Sequence, residues 1–155
     1  MRIPQAETLF LNDKTLLNLG ENMPNKNTSA LLLVAHGSRN ANANEDLHYV
    51  AEELAKKGRY VTVEAAFLEI AKPTIEEGAE KCVRKGAESV VMVPYFLSAG
   101  IHARQDLQDF QKLLTANYPE VSFILGEPFG RHPLLLKIVE ERATQAEIGQ
   151  ESNNV

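Results

Sequence analysis

A single cysteine, Cys82, is all the thiol this 155-residue chain contains. One thiol can neither close an internal disulfide nor build a cysteine cage for a metal, which fits a reducing compartment, and we expect a cytoplasmic protein. Cys82 itself falls on the inner side of a predicted helix and reads as a small core residue. No window approaches the ~20 consecutive apolar residues of a membrane span. Asn12, Asp13 and Lys14 interrupt the leucine-rich stretch before them and after them, so a continuous signal-type apolar region is missing as well. Basic excess is also lacking. The formal net charge of −5 offers no general attraction to nucleic acid or an anionic membrane. A polyanionic ligand would therefore need a locally basic cleft.

What the chain does hold is apolar material in a regular pattern. With 44% hydrophobic and 24% charged residues, it can bury the core of one domain without disulfides or structural metal. Leu31 to Ala35 is a continuous apolar run, the mark of a central parallel strand covered on both faces. Asn42 with Glu45 resembles a capping box. It opens a helix to about Lys57, ended by Gly58, with Leu47, Val50, Ala51 and Leu54 inward at helical spacing. Tyr60 to Phe67 reads as a second strand. Pro73, at a first helical position, opens a second helix, with Ile75, Ala79, Cys82 and Val83 inward and Gly86 as its stop. Ser89 to Tyr95 is a third strand. Ile101 to Asn117 is a third helix with Leu107, Phe110, Leu113 and Leu114 as core candidates. Val121 to Leu125 is a fourth strand, and Pro133 opens a last helix to about Ile148.

Four strand–helix pairs with short connections and right-handed crossovers predict an α/β fold. The expected architecture is a single-domain, four-stranded parallel sheet flanked by helices on both faces, a (βα)4 unit over residues 30–148. Residues 1–29, with the polar stretch Gly20 to Ser29, are expected to be a flexible N-terminal extension, and residues 149–155 a polar tail.

In such a sheet, ligands gather just outside the carboxyl ends of the strands. His36 and His102 both follow strands there, in Leu-Leu-Leu-Val-Ala-His-Gly-Ser and Val-Val-Met-Val-Pro-Tyr-Phe-Leu-Ser-Ala-Gly-Ile-His. Neutral imidazole suits iron, cobalt, nickel, copper and zinc, so two at one rim point to a divalent transition metal. Gly37 allows a sharp backbone turn, and Ser38 can cap that turn or hydrogen-bond a substrate. Asp106, four residues past His102, is placed either to orient its imidazole or only to complement the helix N-terminus. Glu69 and Glu64 are alternatives for a third ligand or proton acceptor. Glu69 is preferred, because Glu64 shares a strand face with Ala66. Arg39, Lys72, Arg104 and Arg131 all follow strands. Singly each reads as a solvated charge; together they suit a polycarboxylate. His48 reads as a surface residue and His132 as a residue of the last helix entrance. A hydrolase built on Ser38 is weak, since His36 is two residues away and no third group orients it.

The segments Ala35-His36-Gly37-Ser38-Arg39, Phe67-Leu68-Glu69 with Pro73, and Pro94-Tyr95-Phe96-Leu97-Ser98-Ala99-Gly100-Ile101-His102 with Asp106 closely resemble those of the small sirohydrochlorin chelatases. These are ATP-independent enzymes related in fold to ferrochelatase. The resemblance runs from about Leu31 to Arg142. It implies insertion of Co²⁺ or Fe²⁺, with Ni²⁺ an option, into sirohydrochlorin, a polycarboxylate tetrapyrrole, towards cobalamin or siroheme. Position by position, His36 and His102 match the metal-binding and catalytic histidines, and Glu69 sits in the recurrent phenylalanine-leucine-glutamate segment, where it would relay protons. Ser38, Arg39, Arg104 and Arg131 are expected to bind the substrate. Longer relatives carry two such domains, whereas the short forms work as homodimers. Nothing beyond the substrate metal is expected as cofactor, and no nucleotide, nucleic acid or membrane as partner. The alternative is a non-catalytic tetrapyrrole or metal carrier on the same fold. Histidine must be neutral to ligate, so acid should inhibit.

Overall fold

The computed structural model describes residues 28–98 and 100–152. Residues 1–27 of the expected extension and 153–155 of the expected tail lie outside the described residues. Four strands alternate with four helices: β1 (Ser29–Ala35), α1 (Ala41–Lys56), β2 (Val63–Phe67), α2 (Ile75–Arg84), β3 (Ser89–Pro94), α3 (Ile101–Asn117), β4 (Ser122–Leu125) and α4 (Pro133–Ser152). All strand pairs are parallel, in the order β2-β1-β3-β4. The expected α/β architecture is therefore present, with helices on both faces of the sheet.

The apolar run of β1 makes it a central strand, and its alternate residues feed two cores. Ala30, Leu32 and Val34 join Ile75, Ala79 and Cys82 of α2 and Ala103, Leu107 and Leu114 of α3. Leu31 and Leu33 join Leu47 and Ala51 of α1, with Val50 and Leu54 packed alongside. Cys82 is buried as expected. Burial, with the nearby Glu64 charge adding to it, pushes its thiol up to about 12, so it stays protonated.

The two faces are covered unequally. Leu31 pairs with Val63 on one side and Val91 on the other, and Val91 pairs with Ile124. Along this row, on the α1 side, Val63 and Leu31 are buried, Val91 is half-buried and Ile124 is 49% exposed. On the opposite face Phe123 of β4 is still buried. Among the described residues α4 packs on no other element. Its first two turns nevertheless carry Leu134, Leu136, Ile138 and Val139, all exposed.

Several local expectations are corrected. Asn40, not Asn42, caps α1, its side chain accepting the Asn42 N–H. Helix α2 starts one residue past a Thr74 cap rather than at Pro73. There Thr74 Oγ1 accepts the Glu77 N–H, and Glu77 in turn accepts the Thr74 N–H. Strand β2 begins at Val63 rather than Tyr60. Helix α4 runs to Ser152, past the expected end at Ile148 and into the expected tail. Leu113 is exposed, and Ala103, one helical turn before Leu107, is buried in its stead. His48 is half-buried, edge-on to the Phe67 ring at 5.7 Å between centroids, because α1 turns that side towards β2.

Candidate functional site

Each predicted site residue except Glu64 lies beyond the carboxyl end of a strand, where the parallel sheet and its helix dipoles leave a rim of turns. The turn after β1 is held from two sides. The Glu69 N–H donates to the His36 carbonyl at 2.9 Å, and the Leu68 N–H to the Ala35 carbonyl at 2.8 Å. Gly37 sits at φ +92°, and a Cβ there would fall 2.0 Å from the Glu69 carbonyl oxygen. Only glycine allows the two turns to approach this closely. Ser38 then closes the turn: its Oγ accepts the Asn40 N–H at 3.0 Å. Its backbone N–H and C=O are both taken by the Asn44 side-chain amide, each at 2.9 Å.

This turn and the exit of β3 enclose a cleft of about 410 Å³ whose walls include His36, Ser38, Asn44, Tyr95 and Phe96. The His36 imidazole is exposed and lies on the Phe96 ring, with centroids 4.3 Å apart and planes inclined by 24°. Phe67 forms part of the same wall. The β3 exit is fixed by its neighbours, since the Tyr95 N–H donates to the Val34 carbonyl at 2.7 Å. The Phe96 and Leu97 carbonyls accept the Phe129 and Gly130 N–H groups, each at 3.0 Å.

The other predicted residues occupy the same rim but not this cleft. His102 lies in the exposed opening turn of α3, and Glu69 is exposed beside the His36 backbone. Among the described residues no three of histidine, cysteine, aspartate and glutamate converge, so His36, His102 and Glu69 do not form a ready-made ligand set. Asp106 is exposed and makes no hydrogen bond to His102 among the described residues, so the expected orienting contact is missing. Arg104 lines a second, smaller cleft of about 210 Å³ between α3 and the β4 exit and pairs there with Glu127 at 3.6 Å. Lys72 is drawn off to Glu77 at 2.9 Å. Arg39 and Arg131 are exposed on the rim turns. His132 accepts the Leu134 N–H through Nδ1 at 3.2 Å, a cap on α4 as expected for the helix entrance.

Glu64 is taken out of the site altogether. It points from β2 to the α2 side, where Lys81 and Lys85 reach it at 2.6 and 3.0 Å and Thr62 Oγ1 donates to it at 2.6 Å. Burial works against its charge, but the Lys81, Thr62 and Lys85 hydrogen bonds outweigh that and hold the carboxyl below its ordinary value. The sequence reading assigned no part to Asn44 or to the Phe96 ring. The alternate asparagines Asn40, Asn42 and Asn44 at the start of α1 were the available signal for the first. Nothing in sequence alone announces a ring stacked on His36.

Comparison with known proteins gives a consistent picture. Residues 30–146 match the CbiX family model. The chain is 33% identical over 150 residues to a sirohydrochlorin cobaltochelatase of Priestia megaterium, covering 96% of this chain and 48% of that protein. It is 38% identical over 116 residues to a sirohydrochlorin cobaltochelatase of Sulfolobus acidocaldarius, covering 75% of this chain and 90% of that protein. Among solved structures, the sirohydrochlorin chelatase SirB of Bacillus subtilis subspecies spizizenii in complex with cobalt superimposes with a TM-score of 0.70 at 32% identity. That match covers 76% of this chain and 50% of SirB. The chain thus spans about half the length of the Priestia protein and of SirB.

Proposed function

The chain belongs to the CbiX family, whose model spans residues 30–146, and from this premise we propose that it inserts a divalent metal, Co²⁺ or Fe²⁺, into sirohydrochlorin without a nucleotide. The observation that carries the reading is the His36 imidazole, lifted on a buried aromatic ring into a cleft at the carboxyl ends of β1 and β3. His102 presents a second exposed imidazole on the same rim.

Metallation must strip water from the ion, expose the pyrrole lone pairs and remove two N–H protons. In the proposed mechanism neutral His36 and His102 hold the metal on one side of the ring, and as the metal passes to the ring nitrogens their freed lone pairs accept those protons. Glu69, tied to His36 through the backbone, relays them to solvent. Ser38, Arg39, Arg104 and Arg131 receive the carboxylates of the substrate. Arg104 is available for this because an exposed ion pair such as Arg104–Glu127 is worth at most about 1 kcal/mol and yields readily to another carboxylate. Such a reaction would serve cobalamin or siroheme formation in the cytoplasm; none of the described helices is long and apolar enough to cross a membrane.

We further propose a homodimer. The exposed apolar turns of α4 and the half-bare strip of Val91 and Ile124 support it, since burying a side chain of this size contributes on the order of 2 kcal/mol.

The deciding experiment is an anaerobic absorbance assay of sirohydrochlorin with Co²⁺ or Fe²⁺, comparing wild type, His102→Ala and a protein-free control. Protein-dependent metallation that falls at least about 100-fold in the variant, as loss of a proton-transfer group should cause, is the expected result. Pigment bound without turnover above the control would instead identify a carrier.

A further inference from the structure

Histidines that bind metals are commonly oriented by a hydrogen bond from their second ring nitrogen to a carboxylate or carbonyl. His36 has no such partner among the described residues. What touches its imidazole is the face of Phe96, at 4.3 Å and 24°. Phe96 is itself only 6% exposed and belongs to the core packed under α2 and α3. Its backbone is clamped as well, through the Phe129 N–H to its carbonyl and through Tyr95 to β1.

Resting on the chelatase reading above, we infer that Phe96 is the positioning residue for His36: stacking, rather than a hydrogen bond, sets the plane of the imidazole and hence the direction of the lone pair offered to the metal. An unsupported histidine at an exposed turn samples several rotamers. A ring fixed in the core beneath it selects among them without occupying either nitrogen. Both nitrogens stay open, one for the metal and the other for water or a substrate carboxylate. The same packing joins the β1 exit, which carries His36, to the β3 exit, which leads into His102.

The test uses Phe96→Leu, which keeps apolar bulk but removes the ring face, and Phe96→Tyr, which keeps the face. Proton NMR reads the geometry directly. The His36 ring protons, assigned by their loss in His36→Gln, should be displaced upfield by the Phe96 ring current in wild type, and not in Phe96→Leu. In metallation assays Phe96→Leu should raise the KM for Co²⁺ by roughly threefold to tenfold, the range an aromatic pair supplies, with kcat changed less. Phe96→Tyr should recover most of the loss. A folded Phe96→Leu with wild-type KM and an unmoved His36 resonance would overturn the inference. So would a folded Phe96→Tyr that behaves like Phe96→Leu. If Phe96→Leu does not fold, wild-type His36 resonances without upfield displacement would reject the stack. Wild-type protein that fails to metallate would count against the chelatase reading, and the ring-current shift would still decide whether Phe96 orients His36.

Discussion

Glu64 and Glu69 show how much a side chain's surroundings decide at the scale of the residue. The two carboxylates bracket the end of one strand, and alternation along β2 was enough to predict that Glu64 turns inward. The sequence did not disclose its partners, because Lys81 and Lys85 lie on α2 and meet Glu64 only after the crossover is made. The folded carboxyl is held below its ordinary value near 4.5. Its contribution to stability is therefore complete above about pH 4.5 and is lost as the pH falls through the lowered folded value. Glu64→Gln should melt below wild type at pH 7, and its melting temperature should fall less steeply than that of wild type as the pH is lowered below 4.5. Circular-dichroism melts from pH 7 to pH 3 would show this; parallel curves would mean the cluster adds no pH-dependent stability. That His36 and His102 reach one rim was legible because their segments follow apolar strands. The missing Asp106–His102 contact was not, since a spacing of four places two residues on one helix side without joining their side chains.

Elements were legible in order and approximate extent. The apolar runs of β1 and β3 and the helical spacing in α1 and α2 each match what is observed, and that in α3 does so apart from Leu113. Their boundaries were less so, because caps compete. Asn40 and Asn42 carry the same side chain, and only Asn40 has a free run of backbone N–H groups in front of it. In Lys-Pro-Thr-Ile-Glu-Glu the Pro73 signal masked the neighbouring Thr74–Glu77 pair, which forms the reciprocal box. Thr74→Ala should cost about 1 kcal/mol, or roughly 2–4 °C in melting temperature for a domain of this size. Thermal denaturation at neutral pH is the check, and an unchanged midpoint would assign the cap to the Glu77–Thr74 backbone bond alone. The behaviour of α4 could not be read from its pattern. A run such as Leu-Leu-Leu-Lys-Ile-Val asks for burial, but says nothing of whose surface supplies it.

For the whole molecule, that demand becomes a statement about assembly. If a second copy covers α4 and the Val91–Ile124 strip, sedimentation equilibrium should return twice the chain mass of 17.2 kDa. Val139→Glu should shift the population to single chains while leaving the far-ultraviolet spectrum intact. A wild-type monomer would show that another segment of the same chain meets the need, or that none does. The opposite edge of the sheet carries a different consequence. Strand β2 is an outer strand, and unpaired outer strands are templates on which foreign strands stack into aggregates. Here a carboxylate and two ammonium groups stand across that edge, with Lys81 and Lys85 half in solvent. An incoming strand would have to strip water from both ammonium groups before its first backbone bond could form. The cluster that fastens α2 to the sheet also keeps the sheet from growing.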